Sequence, residues 1–160
     1  MSAEDNKTLV RRYLEEIYRG NYDILDEVVS PEYYAGRPPD SAGRTPGARY
    51  AAGFDAIGRA FPDIRLSIDA IIAEDELVAL HAAVQGMHLG EFRGVAAAGE
   101  QATWTATGFR RVRDGKLVEG FASWDWLSAL EQLGATVTVW GAVVEPRNAP
   151  AQRPRSAGAE

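Results

Sequence analysis

The residue best placed for chemistry is a single carboxylate. Asp125 lies in Leu117-Val118-Glu119-Gly120-Phe121-Ala122-Ser123-Trp124-Asp125-Trp126-Leu127, where a strand-like run ends between two indoles. Indoles desolvate a neighbouring carboxylate and so raise its pKa, and a carboxyl that titrates near neutrality can both donate and accept a proton. Asp125 also precedes Trp126-Leu127-Ser128-Ala129-Leu130-Glu131-Gln132-Leu133-Gly134, a short helical pattern stopped by glycine, so it fits a helix N-cap equally well. Capping and catalysis both stay open, and one residue can do both.

Strict alternation places Leu117, Phe121, Ser123 and Asp125 on one face of this strand, with Val118, Ala122 and Trp124 on the other. Phe121 therefore shares the expected cavity with Asp125. The partner strand depends on the turn. A two-residue Asp114-Gly115 turn pairs Val112 with Leu117 and puts Trp104, Gly108 and Arg110 on the cavity face, with Trp104 as an apolar wall opposite Asp125. A three-residue turn with a glycine bulge brings in Thr105, Phe109 and Arg111 instead. Both registers are compatible with the residues. Trp104 also fits plain core filling.

The elements that position these residues follow from periodicity. Leu9, Val10, Tyr13, Leu14, Ile17 and Tyr18 recur at helical spacing before Gly20, and Ile24, Leu25, Val28 and Val29 mark a second short helix ended by Ser30-Pro31. Glu32-Tyr33-Tyr34 reads as a short strand, and Arg37 to Gly47 as an exposed loop rich in proline and glycine. Tyr50, Phe54, Ile57 and Phe61 step along a third helix that ends at Phe61-Pro62-Asp63. Strands are expected at about 64–73, 77–86, 102–112 and 117–124, with tight turns at Glu74-Asp75 and Asp114-Gly115. Helices followed by an antiparallel meander give an α+β fold, with three helices packed on one face of a curved sheet that can enclose a cavity. Tyr13, Tyr33, Tyr34, Phe54 and Phe61 are candidates for its mouth, though each also suits the core.

Composition narrows the function. The chain has 160 residues, 46% of them hydrophobic, which suits one domain over 1–144; the run Val137 to Val144 offers a last strand, and from Glu145 the composition fits a disordered tail over 145–160. A formal net charge of -6 without basic clusters argues against nucleic acid and anionic membrane as partners. There is no cysteine, which removes thiolate catalysis and disulfides, and the two histidines have no helical His/Glu spacing for a metal. The segment Met1 to Lys7 is polar and acidic, unlike a signal peptide, and no apolar run has membrane-spanning length, so a cytoplasmic location is expected. The glycine-rich stretch from Gly86 to Gly99 lacks the strand-to-helix setting of a nucleotide loop.

Four local patterns in this order resemble the SnoaL-like polyketide cyclases of the NTF2-like superfamily. They are Phe61-Pro62-Asp63, Gly86-Met87-His88-Leu89-Gly90-Glu91-Phe92-Arg93-Gly94, Arg111-Val112-Arg113-Asp114-Gly115-Lys116-Leu117-Val118-Glu119, and Asp125 followed by Gln132-Leu133-Gly134. The resemblance covers about 5–134. It implies a cone-shaped α+β barrel, a homodimer through the outer sheet face, a polycyclic aromatic small-molecule substrate and no metal or organic cofactor. It also implies that Asp125 is the general acid/base of an intramolecular aldol closure. Known cyclases pair that aspartate with a histidine on the preceding strand; the nearest position here is Arg111, which can hold an enolate oxygen but cannot act as a base at neutral pH. The histidine and tryptophan that many members carry after the glutamate are replaced by Gly120-Phe121. His88 matches a histidine common in the glycine-flanked segment, where a structural hydrogen bond or a ligand contact both fit.

Three functions are consistent with this pattern. The leading one is a cofactor-independent cyclase of aromatic polyketide biosynthesis, with Asp125 and Arg111 catalytic and Trp104, Phe121, Tyr33, Phe61 and His88 against the substrate. The second is a hydroxylation component that works on an anthracycline-type polyketide with a separate reductase. The third is a non-catalytic dimer that binds a small ligand or serves as a scaffold.

Overall fold

A computed structural model describes residues 2–34, 41–43, 46–139 and 142–144. Helix α1 (Ala3–Tyr18) starts from a reciprocal cap: the Ser2 hydroxyl accepts from the Asp5 amide at 3.2 Å, and the Asp5 carboxylate accepts from the Ser2 amide at 2.8 Å. The helix buries Val10, Tyr13, Leu14 and Ile17, and ends ahead of Gly20, whose φ of 82° suits a residue without Cβ. Helix α2 (Ile24–Val28) adds Ile24, Leu25 and Val28 to the same core. The strand expected at Glu32-Tyr33-Tyr34 is instead a 3-10 turn over Pro31–Tyr34. Pro31 presets a helical φ there, and the Tyr33 amide donates to Ser30 O at 3.0 Å. Helix α3 (Pro46–Ala60) stops before Pro62 as its sequence predicts.

Strands β1 (Arg65–Glu74), β2 (Leu77–Met87), β3 (Gln101–Arg113) and β4 (Lys116–Trp124) form one antiparallel sheet in chain order. All four lie within a residue or so of their expected bounds. The first hairpin turns at Asp75-Glu76, one residue later than expected, because Glu74 pairs with Leu77. Helix α4 (Trp126–Gln132) follows β4 directly, and its Gln132 side chain takes the place of a missing strand. Gln132 Nε2 donates to Thr103 O at 2.7 Å, and Gln132 Oε1 accepts from Thr103 N at 3.0 Å. The final apolar run folds on itself as a hairpin, β5 (Val137–Val139) with β6 (Ala142–Val144). Most of the expected loop at 37–47, and the tail from Glu145, lie outside the described residues.

The turn between β3 and β4 decides which side chains face the helices. Arg113 pairs with Lys116 across Asp114-Gly115, both at positive φ, so the turn is the two-residue type. One rung later the register shifts: Val112 faces Leu117, whereas Arg111 faces Glu119, leaving Val118 as a bulged residue. Inward parity therefore passes from Leu117 to Gly120, Ala122 and Trp124. On β3 the inward set is Val112, Arg110, Gly108, Ala106 and Trp104, as the two-residue register predicts.

The core has two parts. One joins α1, α2 and α3 to Val78, Val112 and Leu117; the other gathers Phe61, Phe92, Trp104, Ala129 and Leu133. Tyr18, Leu66 and Trp124 pack against both. The result is the expected α+β layering, helices on one face of an antiparallel sheet.

Candidate active site

The bulge at Val118 corrects the expected cavity face. Phe121 is 56% exposed on the outer face, where it packs on Phe109 at 5.8 Å between ring centres. Arg111 is also outside: its Nε donates to Glu119 at 3.0 Å, and its guanidinium lies 4.0 Å from Glu76. Strict alternation fails here because an extra residue in one strand reverses the parity of everything after it. Asp125 is exposed and forms the N-cap of α4, its Oδ1 accepting from Ser128 N at 3.0 Å while its own amide donates to Thr105 O at 3.0 Å. The capping role is thus realised in the structure, and the carboxyl is not desolvated by the indoles that flank it.

Three other predicted site residues are brought together in the core. Phe61 lies 5.1 Å from Trp104 and 5.2 Å from His88, ring centre to ring centre, and all three are buried. His88 Nδ1 accepts from Ala98 N at 3.2 Å, which puts the ring proton on Nε2, and Nε2 has no partner. Burial holds the imidazole pKa below its ordinary value, with the Glu91 charge opposing it. A neutral His88 that receives a backbone amide fixes the start of the 88–99 rim segment. Tyr33 belongs to the other cluster, edge-on to Tyr50 at 6.5 Å.

One open space lies next to these rings. A mouth of about 630 Å³ is bounded by α3, the rim segment and the β4–α4 junction. Its aromatic walls are Tyr50, Phe54, Phe92, Trp124 and Trp126, with Trp124 stacked on Trp126 at 5.9 Å. Arg49, Arg59 and Arg93 edge it; Arg59 is paired with Asp55, and Arg93 lies over the rings of Phe92 and Trp126 at 5.5 and 5.0 Å. Of the aromatic residues expected at the mouth, Phe54 is there. The two tryptophans were in view in the sequence as neighbours of Asp125, yet they, and not the acid, form the wall.

Behind Phe54 and Trp124 the inner face of the sheet carries a buried cation. Arg110 is 3% exposed, and its NH1 donates to Phe109 O at 2.8 Å and Phe121 O at 2.6 Å. Its guanidinium sits 5.8 Å from the Tyr13 ring centre, and the Tyr13 hydroxyl lies 2.6 Å from that of Tyr50. Burial opposes the charge, but the surrounding phenols of Tyr50, Tyr13 and Tyr33 outweigh it and hold the Arg110 pKa above its usual value. Burial pushes Tyr13 well up, and Tyr18 up to about 12. Gly120 makes this packing possible: a Cβ there would meet Tyr33 Oη at 2.5 Å and Arg110 Cδ at 2.6 Å. The sequence left Arg110 as a face assignment in one of two registers, without a role.

This layout has known counterparts. A family model described as SnoaL-like polyketide cyclase matches residues 7–133. The chain belongs to that family. Among solved structures it is similar to AclR of Streptomyces galilaeus, for which a hydroxylase role has been put forward. The two share 28% identity over 83% of this chain and 98% of AclR, with a TM-score of 0.69. IdmH of Streptomyces antibioticus, put forward as a polyketide cyclase, shares 25% identity over 81% of this chain and 99% of IdmH, TM-score 0.67. TsrD of Streptomyces laurentii, at 21% identity over 84% of this chain and 98% of TsrD, TM-score 0.71, shares the fold. A search of curated proteins found no match.

As a SnoaL-like protein the chain has the NTF2-like α+β architecture, and its family points to a polyketide-related small molecule. Its inner β3 and β4 positions are chemically sparse: Trp104, Ala106, Gly108 and Arg110 face Gly120, Ala122 and Trp124. None of these is a carboxylate or an imidazole. Among the described residues no group of three or more His, Asp or Glu is placed to hold a metal, and no helix is long and apolar enough to cross a membrane.

Proposed function

We propose that this SnoaL-like chain is an enzyme that seats a planar, polycyclic aromatic polyketide in the mouth and closes a ring by intramolecular aldol condensation. The observation that carries this reading is the mouth itself, where five aromatic side chains and three arginines surround about 630 Å³. Flat aromatic walls suit a flat substrate, and arginines suit its ionised or carbonyl oxygens. For Asp125 to transfer protons in such a closure, its carboxyl has to leave the Ser128 amide and turn toward the mouth that Trp124 and Trp126 line.

A second reading, hydroxylation of an anthracycline-type intermediate with a partner reductase, is favoured by the sparse inner face and by the similarity to AclR. Both are tested by incubating the protein with polyketide ring precursors, with and without a reductase system, and resolving products by mass. Ring closure gives a product isomeric with the precursor or short of one water. Hydroxylation adds one oxygen from dioxygen, the other oxygen leaving as water, and requires the electrons of the reductase. No product under either condition would remove the enzyme reading.

We also propose a homodimer through the outer sheet face. Ile72, Ala79, Phe109 and Phe121 align in one register row across all four strands, and Ile72 and Phe121 are exposed. An exposed apolar row of this length is rare on a monomer. Phe121→Glu is expected to convert a dimer to a monomer by light scattering; a monomeric wild type would overturn the assignment. We propose a cytoplasmic location for the protein.

A further inference from the structure

The buried Arg110 has more donor capacity than the protein uses. Its NH1 is spent on two backbone carbonyls, but its Nε has no partner although the side chain is almost wholly removed from solvent. Among the described residues no carboxylate pairs with it, and the ionisable groups that shape its environment are Tyr50, Tyr13 and Tyr33. An arginine stays protonated in such a site, and a buried cation without a counter-ion is costly. Arg110 also lines a small, mostly apolar void of about 20 Å³, together with Phe54, Ala106, Gly108, Ala122 and Trp124. That is room for one oxygen-sized group, because about 10–15 Å³ on this measure holds a single water. Phe54 and Trp124 line both the void and the mouth, so the two spaces are neighbours.

We propose that this void is an oxyanion subsite, in which Arg110 receives the enolate or phenolate oxygen of a ligand whose rings occupy the mouth. The inference rests on the mouth being the ligand site. Phe54 and Trp124 part to admit the oxygen, and Arg110 supplies the missing charge balance. The Tyr13–Tyr50 hydroxyl pair keeps the guanidinium in place from behind. The ligand proton leaves to solvent, and no protein group changes its protonation. Such a subsite serves ring closure and hydroxylation alike, since each begins from an electron-rich enolate or phenolate.

The test uses full-length protein and alizarin, a planar hydroxyanthraquinone whose visible band moves when a phenol ionises. Binding is followed by tryptophan quenching and ionisation by absorbance across pH. With wild type, the first ionisation of bound alizarin is expected to fall by about one pH unit or more, as an opposite charge at close range produces. Arg110→Gln is expected to bind alizarin within a few-fold of wild type and to lose the shift, with Arg110→Lys restoring part of it. Because Arg110 also clamps two carbonyls, Ala122→Val serves as a second variant: it fills the void, leaves Arg110 in place, and is expected to abolish the shift while quenching persists. Binding to wild type without a shift, or a shift retained in both Arg110→Gln and Ala122→Val, would overturn the subsite and leave the mouth intact. Absence of any quenching in wild type would overturn the mouth and the subsite together.

Discussion

Replacing Asp125 by asparagine and by alanine separates a helix cap from a proton-transfer group. Asparagine keeps an oxygen able to accept from the Ser128 amide, now at 3.0 Å from the carboxylate, whereas alanine does not. Loss of an N-cap costs about 1 kcal/mol, and the exposed setting lets water satisfy the Ser128 amide, which holds the cost near that figure. Loss of the negative charge at the start of α4 costs about 0.5 kcal/mol. Urea unfolding should therefore place Asp125→Asn within about 0.5 kcal/mol of wild type and Asp125→Ala about 1.5 kcal/mol below it. If Asp125 only caps α4, turnover of an accepted precursor is unchanged in the asparagine variant, and reduced in the alanine variant only as far as α4 loosens the Trp126 wall. A general acid/base group behaves differently, since its removal lowers the rate by about 10²–10⁴-fold whichever residue replaces it. An asparagine variant with wild-type stability and turnover down about a hundredfold would refute capping as the sole role of Asp125.

Gly120→Ala should destabilise by about 1–3 kcal/mol in urea unfolding, because its Cβ would overlap Tyr33 and Arg110 on an overfilled inner face. Arg111→Ala removes surface ion pairs with Glu119 and Glu76, so stability should stay within about 0.5 kcal/mol and ligand quenching should not change. At alkaline pH stability should decline: Tyr18 ionises at its ordinary value near 10 in the unfolded chain and at about 12 when folded. The folded form is thus favoured fully below pH 10 and loses about 3 kcal/mol from Tyr18 between 10 and 12, with Tyr13 adding to the fall in the same direction. Ultraviolet titration of phenolate alongside circular dichroism checks this, and ionisation of every tyrosine near pH 10 with the fold intact would contradict it.

Most of the fold is legible in the sequence because its signals are local. The four strands follow from period-two runs, and the Asp114-Gly115 turn carries the residue types that a positive-φ pair requires. The end of α3 at Phe61-Pro62-Asp63 follows from proline chemistry, and the Asp63 carboxylate reinforces it by accepting from Met87 N at 2.7 Å. The 3-10 turn at Pro31–Tyr34 is hidden because two adjacent tyrosines carry strand propensity, whereas Tyr33 is set by its contact with the sheet at Gly120. The site was hidden for a related reason. Val118 looks like any other strand residue, and its bulge is a property of the paired strands and not of the residue.

That one bulge also explains why the inner face has the composition it does. With Val118 extruded, Leu117 still closes the core beside Val112, while Gly120 and Ala122 come to face the helices in place of Glu119 and Phe121. Two small residues in succession leave a hollow opposite Gly108 and Arg110. A long side chain from β3 can then lie flat across the sheet and reach the carbonyl of Phe121 on β4. Without the bulge, Glu119 would face Arg110 from the neighbouring strand, and the cation would be neutralised within the protein. The bulge instead sends Glu119 outward to pair with Arg111 and leaves Arg110 without an acidic partner among the described residues. The same shift that takes Asp125 out of the cavity thus places an uncompensated cation within it. Any chemistry at the floor of the mouth is therefore drawn toward stabilising negative charge on the ligand and away from proton transfer by a carboxylate.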